Sequence, residues 1–178
     1  MQPKQKLFIS FWSITITIGV LTLIFWVREH SIMKLDALTE TPAERSNEVY
    51  QRGSQVMPFE QNQTKHTFFP NSNGGTQTVT VNDSANFQQI KLIRLHLKEE
   101  AQKFARGDFS DPATIHGAEM PGLKTLQGQG EKLNVQYKQL PDGASLIYSS
   151  DDEEIITALH QWFVAQNQDH NGHRGMKH

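Results

Sequence analysis

The stretch TQTVTVNDSANFQQIKLIRLHLKEEAQKFAR, from Thr76 to Arg106, decides the fold class, because its hydrophobic period changes midway. Thr76 to Val81 alternates and is rich in β-branched residues, which suit a pleated, half-buried surface, so it reads as a strand. Asn82-Asp83-Ser84 then offers side-chain oxygens for an N-cap. From about Ala85 to Arg106 the apolar residues Ile90, Ile93, Leu97, Ala101 and Phe104 recur at spacings of three and four, the mark of an amphipathic helix. Gly107 supplies its stop.

Downstream, Asp108 to Gly130 is rich in Gly and Pro and reads as a structured loop, with short helical turns at Thr114 to Glu119 and Gly122 to Gln127. Leu133, Val135 and Tyr137 alternate with polar partners. Pro141-Asp142-Gly143 is turn chemistry and Ser145 to Ser149 is apolar, which together predict a β-hairpin. Asp151 and Asp152 open a last helix, about Glu153 to Gln168, with Ile155, Leu159, Trp162, Phe163 and Gln166 along one side. Three strands and two main helices predict an α+β fold, a small antiparallel sheet covered on one face by helices.

Upstream, Leu7 to Val27 carries no charge, and at about 1.5 Å of rise per residue it covers a bilayer core of roughly 30 Å. It exceeds the apolar length of a cleaved signal peptide, and no small-x-small site follows it, so an uncleaved anchor is expected. Lys4 and Lys6 precede it, while Arg28 and Lys34 follow. The positive-inside bias favours a cytoplasmic N-terminus and a periplasmic or extracellular C-terminal domain, a single-pass protein of the inner membrane. Trp12 and Trp26 suit the interfacial aromatic belts. The expected organisation is an anchor at 1–28, a polar tether at 29–64 with some helix around Ala43 to Gln51, a soluble domain at 65–170 and a polar tail at 171–178.

The absence of cysteine excludes disulfides, thiolate ligands and cysteine nucleophiles. A net charge of −2 with scattered Lys and Arg gives no nucleic-acid footprint. The informative residues are histidines, eight in all, including His66, His96, His116, His160, His170 and His173. His116 and Met120 stand four apart in IHGAEM, and Met176 follows His173. Imidazoles and thioethers without thiolates suit copper in either oxidation state better than calcium or magnesium, which take oxygen ligands. His96 and His160 project from the shoulders of their helices' apolar stripes, where both could face an edge cleft covered by the loop of His116 and Met120. The alternatives are an ordinary shoulder histidine with one nitrogen in water and, for Met120, a hydrophobic plug. His170 and His173 form an H-x-x-H pair.

Enzyme templates are missing. There is no G-x-S-x-G elbow, no H-E-x-x-H and no G-x-x-x-x-G-K-[ST] loop, and Gly74-Gly75 opens a strand rather than a helix. Asp108, Asp111 and Glu119 read more naturally as caps of turns and helix ends than as acid or base groups. Haem could take axial His and Met, but without C-x-x-C-H it could not be covalently attached.

The runs LIRLHLKEEAQKFARGDFSDPATIHGAEMPGLKTL and VQYKQLPDGASLIYSSDDEEIITALHQWFVAQNQDH carry IR-x-HL, F-x-x-GDF-x-x-P, IHG-x-x-MPGL, LP-x-GA and ALH-x-WF-x-AQ. In these the chain resembles, over about Thr76 to His170, a family of small bacterial membrane-anchored or exported domains of unknown function. Proteins of this type often carry an aspartate carbamoyltransferase label. That enzyme is built from two α/β domains with a Ser-Thr-Arg-Thr phosphate loop, and this chain has neither. The resemblance implies that His96, Asp108, His116, Met120, His160, Trp162 and His170 belong to a shared domain design.

The sequence thus predicts a membrane-anchored extracytoplasmic domain that binds copper through His96, His116, Met120 and His160. Two other readings stay open: an envelope interaction or structural module without metal, and an enzyme with His116 or His160 as general base assisted by Asp108 or Glu119.

Overall fold

A computed structural model describes residues 41–171. The run Leu7–Val27 and the tail with His173, Met176 and His178 lie outside the described residues, and among those described no helix is long and apolar enough to cross a membrane. In chain order the elements are α1 (Pro42–Val56), a 3-10 turn (Gln61–Gln63), β1 (Thr64–Asn71), β2 (Gly74–Val81), α2 (Phe87–Phe104), α3 (Ser110–His116), α4 (Leu123–Gly128), a second 3-10 turn (Gly130–Lys132), β3 (Asn134–Leu140), β4 (Gly143–Ser149) and α5 (Glu153–Asn171).

The fold is α+β, with one sheet in the order β1-β2-β4-β3 and every neighbouring pair antiparallel. Two hairpins meet through β2 and β4, where Val79 lies opposite Ala144 and Gln77 opposite Leu146. Helix α2 packs over β3 and β4, and α5 over β1 and β2. Ile93, Leu97 and Phe104 of α2 and Ile155, Leu159, Trp162 and Phe163 of α5 bury against Phe68, Val79, Leu146 and Tyr148. The period-3.6 stripes thus meet the period-2 inner face of the sheet, as the sequence pattern required.

Two differences from the sequence expectation matter. The sheet has four strands rather than three. The extra one, β1, reads TKHTFFPN, with adjacent phenylalanines and a proline, and only Phe68 is buried. It is an edge strand with a single neighbour, where Pro70 costs no ladder bond to a second strand, so it need not alternate cleanly. Part of the expected tether is also structured: Pro42–Val56 is helical, and Val49, Met57 and Phe59 enter the core. Few apolar residues suffice there because α1 packs on α3 and α5 rather than forming a core of its own.

Helix α2 begins later than expected. Asp83 accepts from the Ala85 N–H (2.9 Å) in a turn of its own, and Asn86 is the cap, its Oδ1 accepting from the Gln89 N–H (3.3 Å). The Gly/Pro-rich segment is mostly helical. Pro112 sits in the first turn of α3, which tolerates it, and Gly117 at φ 95° ends that helix.

Candidate functional site

A cavity of about 50 Å³ is lined by Phe68, Gln77 and Val79 of the sheet together with residues of α2, α3 and α5. Into it come imidazoles from four separate elements: His66 of β1, His96 of α2, His116 of α3 and His170 of α5. Met57, Glu100, Asp111 and Trp162 line it as well. Pockets for organic ligands run to roughly 300–1,000 Å³, so this space suits an ion with a small companion and not a metabolite.

The rings form a chain of contacts. His66 and His170 have centroids 4.6 Å apart, His116 and His170 5.4 Å apart, and His170 stacks on Phe68 at 5.9 Å. His66 and His96 both lean on Phe59, at 5.8 and 5.6 Å. His116, only 4% exposed, is the most firmly held. Its Nδ1 lies 2.7 Å from Asp169 Oδ2, Asp169 also accepts from Arg45 Nε (3.2 Å) and Nη2 (2.9 Å), and Arg45 Nη2 donates to the His116 carbonyl at 2.7 Å. Burial pushes the Asp169 carboxyl up, but the bonds from His116 and Arg45 outweigh it and hold the group below its ordinary value. A carboxylate can only accept, so His116 Nδ1 carries the proton, and in the neutral ring the lone pair is on Nε2.

A second polar group forms the other wall. Lys103 Nζ is 2.7 Å from Asp111 Oδ2 and 3.2 Å from Glu100 Oε1. The shorter contact pairs Lys103 with Asp111, whose carboxyl stays below its usual value despite burial, through bonds with Glu100 and Lys103. Glu100 is pushed up to about 8, first by burial and then by Asp111. His96 is lowered by burial, against the pull of Asp111. Near neutral pH the lining therefore includes a protonated Glu100, a neutral His96 and Asp111, the last paired with Lys103, which does not itself line the cavity.

The Glu100 shift has a testable sign. Its folded-state pKa lies above the unfolded value of 4.5, so the folded protein binds the extra proton between pH 4.5 and about 8, and stability falls as pH rises through that window. Glu100→Gln removes this contribution, up to about 1.4 kcal/mol per pH unit. Denaturation midpoints across that range, compared for the two proteins, measure it; parallel pH profiles would show that Glu100 is not the group responsible.

Of the four ligands expected from sequence, the structure brings His96 and His116 to one cavity, while Met120 and His160 are not among its lining residues. Met120 is buried in the core. A four-residue spacing aligns side chains only along a continuing helix, and Gly117 ends α3 directly after His116. His160 lies ten residues before His170 on α5, about 15 Å along the axis. There its Nε2 meets the carbonyls of Asn71 (3.0 Å) and Gly74 (2.8 Å), closing the β1–β2 turn. Neither proposed acid/base assistant reaches the cavity: Asp108 is exposed and accepts from the Ser110 N–H (3.1 Å), and Glu119 is exposed.

Sequence reading did not single out Met57, Glu100, Asp169 or Arg45. Glu100 alone left a trace, since a carboxyl three residues after Leu97 falls on the apolar stripe of α2. Among the described residues no group of three or more His, Cys, Asp or Glu side chains is arranged to hold a metal ion. No family model matches the chain, and no curated protein and no solved structure is significantly similar to it.

Proposed function

We propose that the chain is a membrane-anchored extracytoplasmic protein whose domain binds one transition-metal ion, copper by its ligand chemistry, in the histidine-lined cavity. His116 Nε2 is the fixed ligand, His66 and His170 are recruited to it, and Met57 or His96 completes the set. The observation that carries this reading is the orientation of His116 by Asp169. A carboxylate that takes the far N–H of an imidazole fixes its tautomer and raises its basicity, the usual outer-shell arrangement of metal-ligating histidines.

Spacing supports the same reading. Two imidazoles on one tetrahedral ion, with nitrogens about 2 Å from the metal, place their ring centroids roughly 5 Å apart. The His66–His170 and His116–His170 separations of 4.6 and 5.4 Å bracket that value. The rings lean on one another instead of converging, so metal entry turns His66 and His170 about their side-chain bonds while His116 stays in place. Imidazole and thioether donors without thiolate favour copper over the oxygen-seeking cations.

The test is titration of the untagged full chain in detergent with copper, under oxidising and reducing conditions, read by calorimetry and absorbance. We expect saturable one-to-one binding tighter than about 10 µM, or roughly 7 kcal/mol, lost when His116 and His170 are both replaced by Ala. Absent or non-saturable binding, or binding that survives in the double variant, rules the site out.

A further inference from the structure

The two edges of the sheet differ. At β1 the edge is blunted, because Asn167 of α5 donates to the Phe68 carbonyl (2.9 Å) and Pro70 offers no N–H. At the other edge β3 has β4 as its one neighbour among the described residues and runs seven residues without a proline. That edge can take a further strand.

Helix α2 packs over β3 and β4, and one of its sides is basic. Phe87, Lys91, Arg94 and Lys98 follow at spacings of four, three and four, which stacks them along one side of the helix. Arg94 fixes which side that is, since it donates to the carbonyls of Leu140 (2.5 Å), Pro141 (3.0 Å) and Gly143 (3.3 Å) at the β3–β4 turn. His96, two residues on, turns the other way and lines the cavity. Phe87 is 77% exposed, and Lys91 and Lys98 are exposed as well. The acids of the helix face elsewhere: Glu99 and Glu100 lie 3.9 and 3.2 Å from Lys103. On β3 itself the single charge is Lys138, also exposed, while Val135 and Tyr137 pack against the core only in part.

A half-covered apolar strip, an unpaired strand edge and a row of cations beside it together describe a groove for a peptide in extended form. We propose that β3 and the adjoining side of α2 dock an acidic extended segment of a partner protein, which joins the sheet as a fifth strand. Main-chain hydrogen bonds to β3 hold the segment, and every second side chain points to the helix-covered face, where Phe87 takes an apolar residue and Lys91 and Lys98 take carboxylates. The two lysines stand about 10 Å apart along the helix, within reach of Glu side chains at alternate positions roughly 7 Å apart. A second copy of this chain fits less well, because pairing β3 with itself brings Lys91, Lys98 and Lys138 of both copies to one seam. The surface lies on the far side of α2 from the histidine-lined cavity, so the inference stands apart from the metal reading.

The probe is a fluorescent peptide of alternating Glu and Val, seven residues long to match β3. It is titrated by anisotropy into the untagged full chain in detergent, with a Lys/Val peptide of the same length as control. We expect saturable binding of the Glu/Val peptide, binding weaker by about tenfold or more for the Lys/Val peptide, and a loss of about tenfold or more in Lys91→Glu/Lys98→Glu. Circular dichroism checks that this variant, changed only at exposed positions, keeps its fold. Strand pairing has its own readout. In an added strand the N–H groups of alternate residues face β3, so of two Glu/Val peptides, one N-methylated at the Glu residues and one at the Val residues, one should lose binding and the other keep it. Equal behaviour of these two peptides overturns the inference, as does binding that ignores the sign of the peptide's charge or survives the double reversal. No saturation of the Glu/Val peptide by about 1 mM does the same. Self-association of the chain that shuts out the peptide assigns the edge to a second copy and overturns it too.

Discussion

Gly122→Ala should lower the unfolding free energy by roughly 2–5 kcal/mol, the sum of two separate costs. Gly122 has φ 78°, in the left-handed region that an L side chain enters only at a penalty. A Cβ there would also lie 2.0 Å from the Ala158 carbonyl oxygen and 3.1 Å from the Trp162 backbone nitrogen. Both are backbone atoms of α5, so no side chain can move aside to make room; the start of α4 must retreat. Retreat would pull Leu123 and Leu126, both fully buried, out of their places beside α5. Because Trp162 is both a neighbour of Gly122 and a residue lining the cavity, the copper binding proposed above should weaken together with stability. Gly128→Ala is the matched control, since a Cβ at that position meets nothing within 4 Å. Chemical denaturation of the two variants decides the matter: equal losses would mean that the close approach of α4 and α5 is not what Gly122 provides.

Asp169→Asn should cost roughly 2 kcal/mol of stability and weaken the proposed copper binding about 10–100-fold. Asn keeps the shape of the side chain but removes the charge that receives both the His116 N–H and the Arg45 guanidinium. It can also present its amide N–H₂ to His116 and so leave the ring free to take the other tautomer. The pH dependence supplies an independent reading. The folded-state pKa of Asp169 lies below 3.8, so its contribution is fully present above that value and is lost as pH falls through the folded pKa. The wild type should therefore lose stability on acidification more steeply than Asp169→Asn in the range below pH 3.8. If the acid limbs of the two stability profiles coincide, Asp169 is an ordinary surface carboxylate and the orientation of His116 has another cause.

Much of the fold was legible in the chain because local period and tertiary environment agree. The stripe Ile90, Ile93, Leu97, Ala101 and Phe104 became the buried face of α2, and Pro141-Asp142-Gly143 joins β3 to β4 as turn chemistry requires. Strand β1 was not legible, because an edge strand buries so little that its pattern carries little signal. The start of α2 was misplaced by a few residues because Asp83 and Asn86 are both good caps, and which of them caps the helix depends on where the chain leaves β2. Helix α1 was legible only as some helix around Ala43 to Gln51; its place in the core was not, because Val49 and Ser46 are buried where the helix packs on α3 and α5, not by periodicity within the segment.

Residue types and their local spacing were enough to determine the class of fold, the two stripe-bearing helices, the β3–β4 hairpin and the abundance of imidazole without thiolate. Which imidazoles share a cavity was decided only in three dimensions. His66, His96, His116 and His170 lie on four different elements, β1, α2, α3 and α5, and come together only in the lining of one cavity. The carboxylate that orients His116 comes from 53 residues further along the chain. His116 and Met120, adjacent by helical spacing, part at Gly117, and His160 is taken up by two turn carbonyls. Sequence period reports which face of an element is buried; the side chains that meet across that face depend on how the elements cross, and no local pattern encodes the crossing.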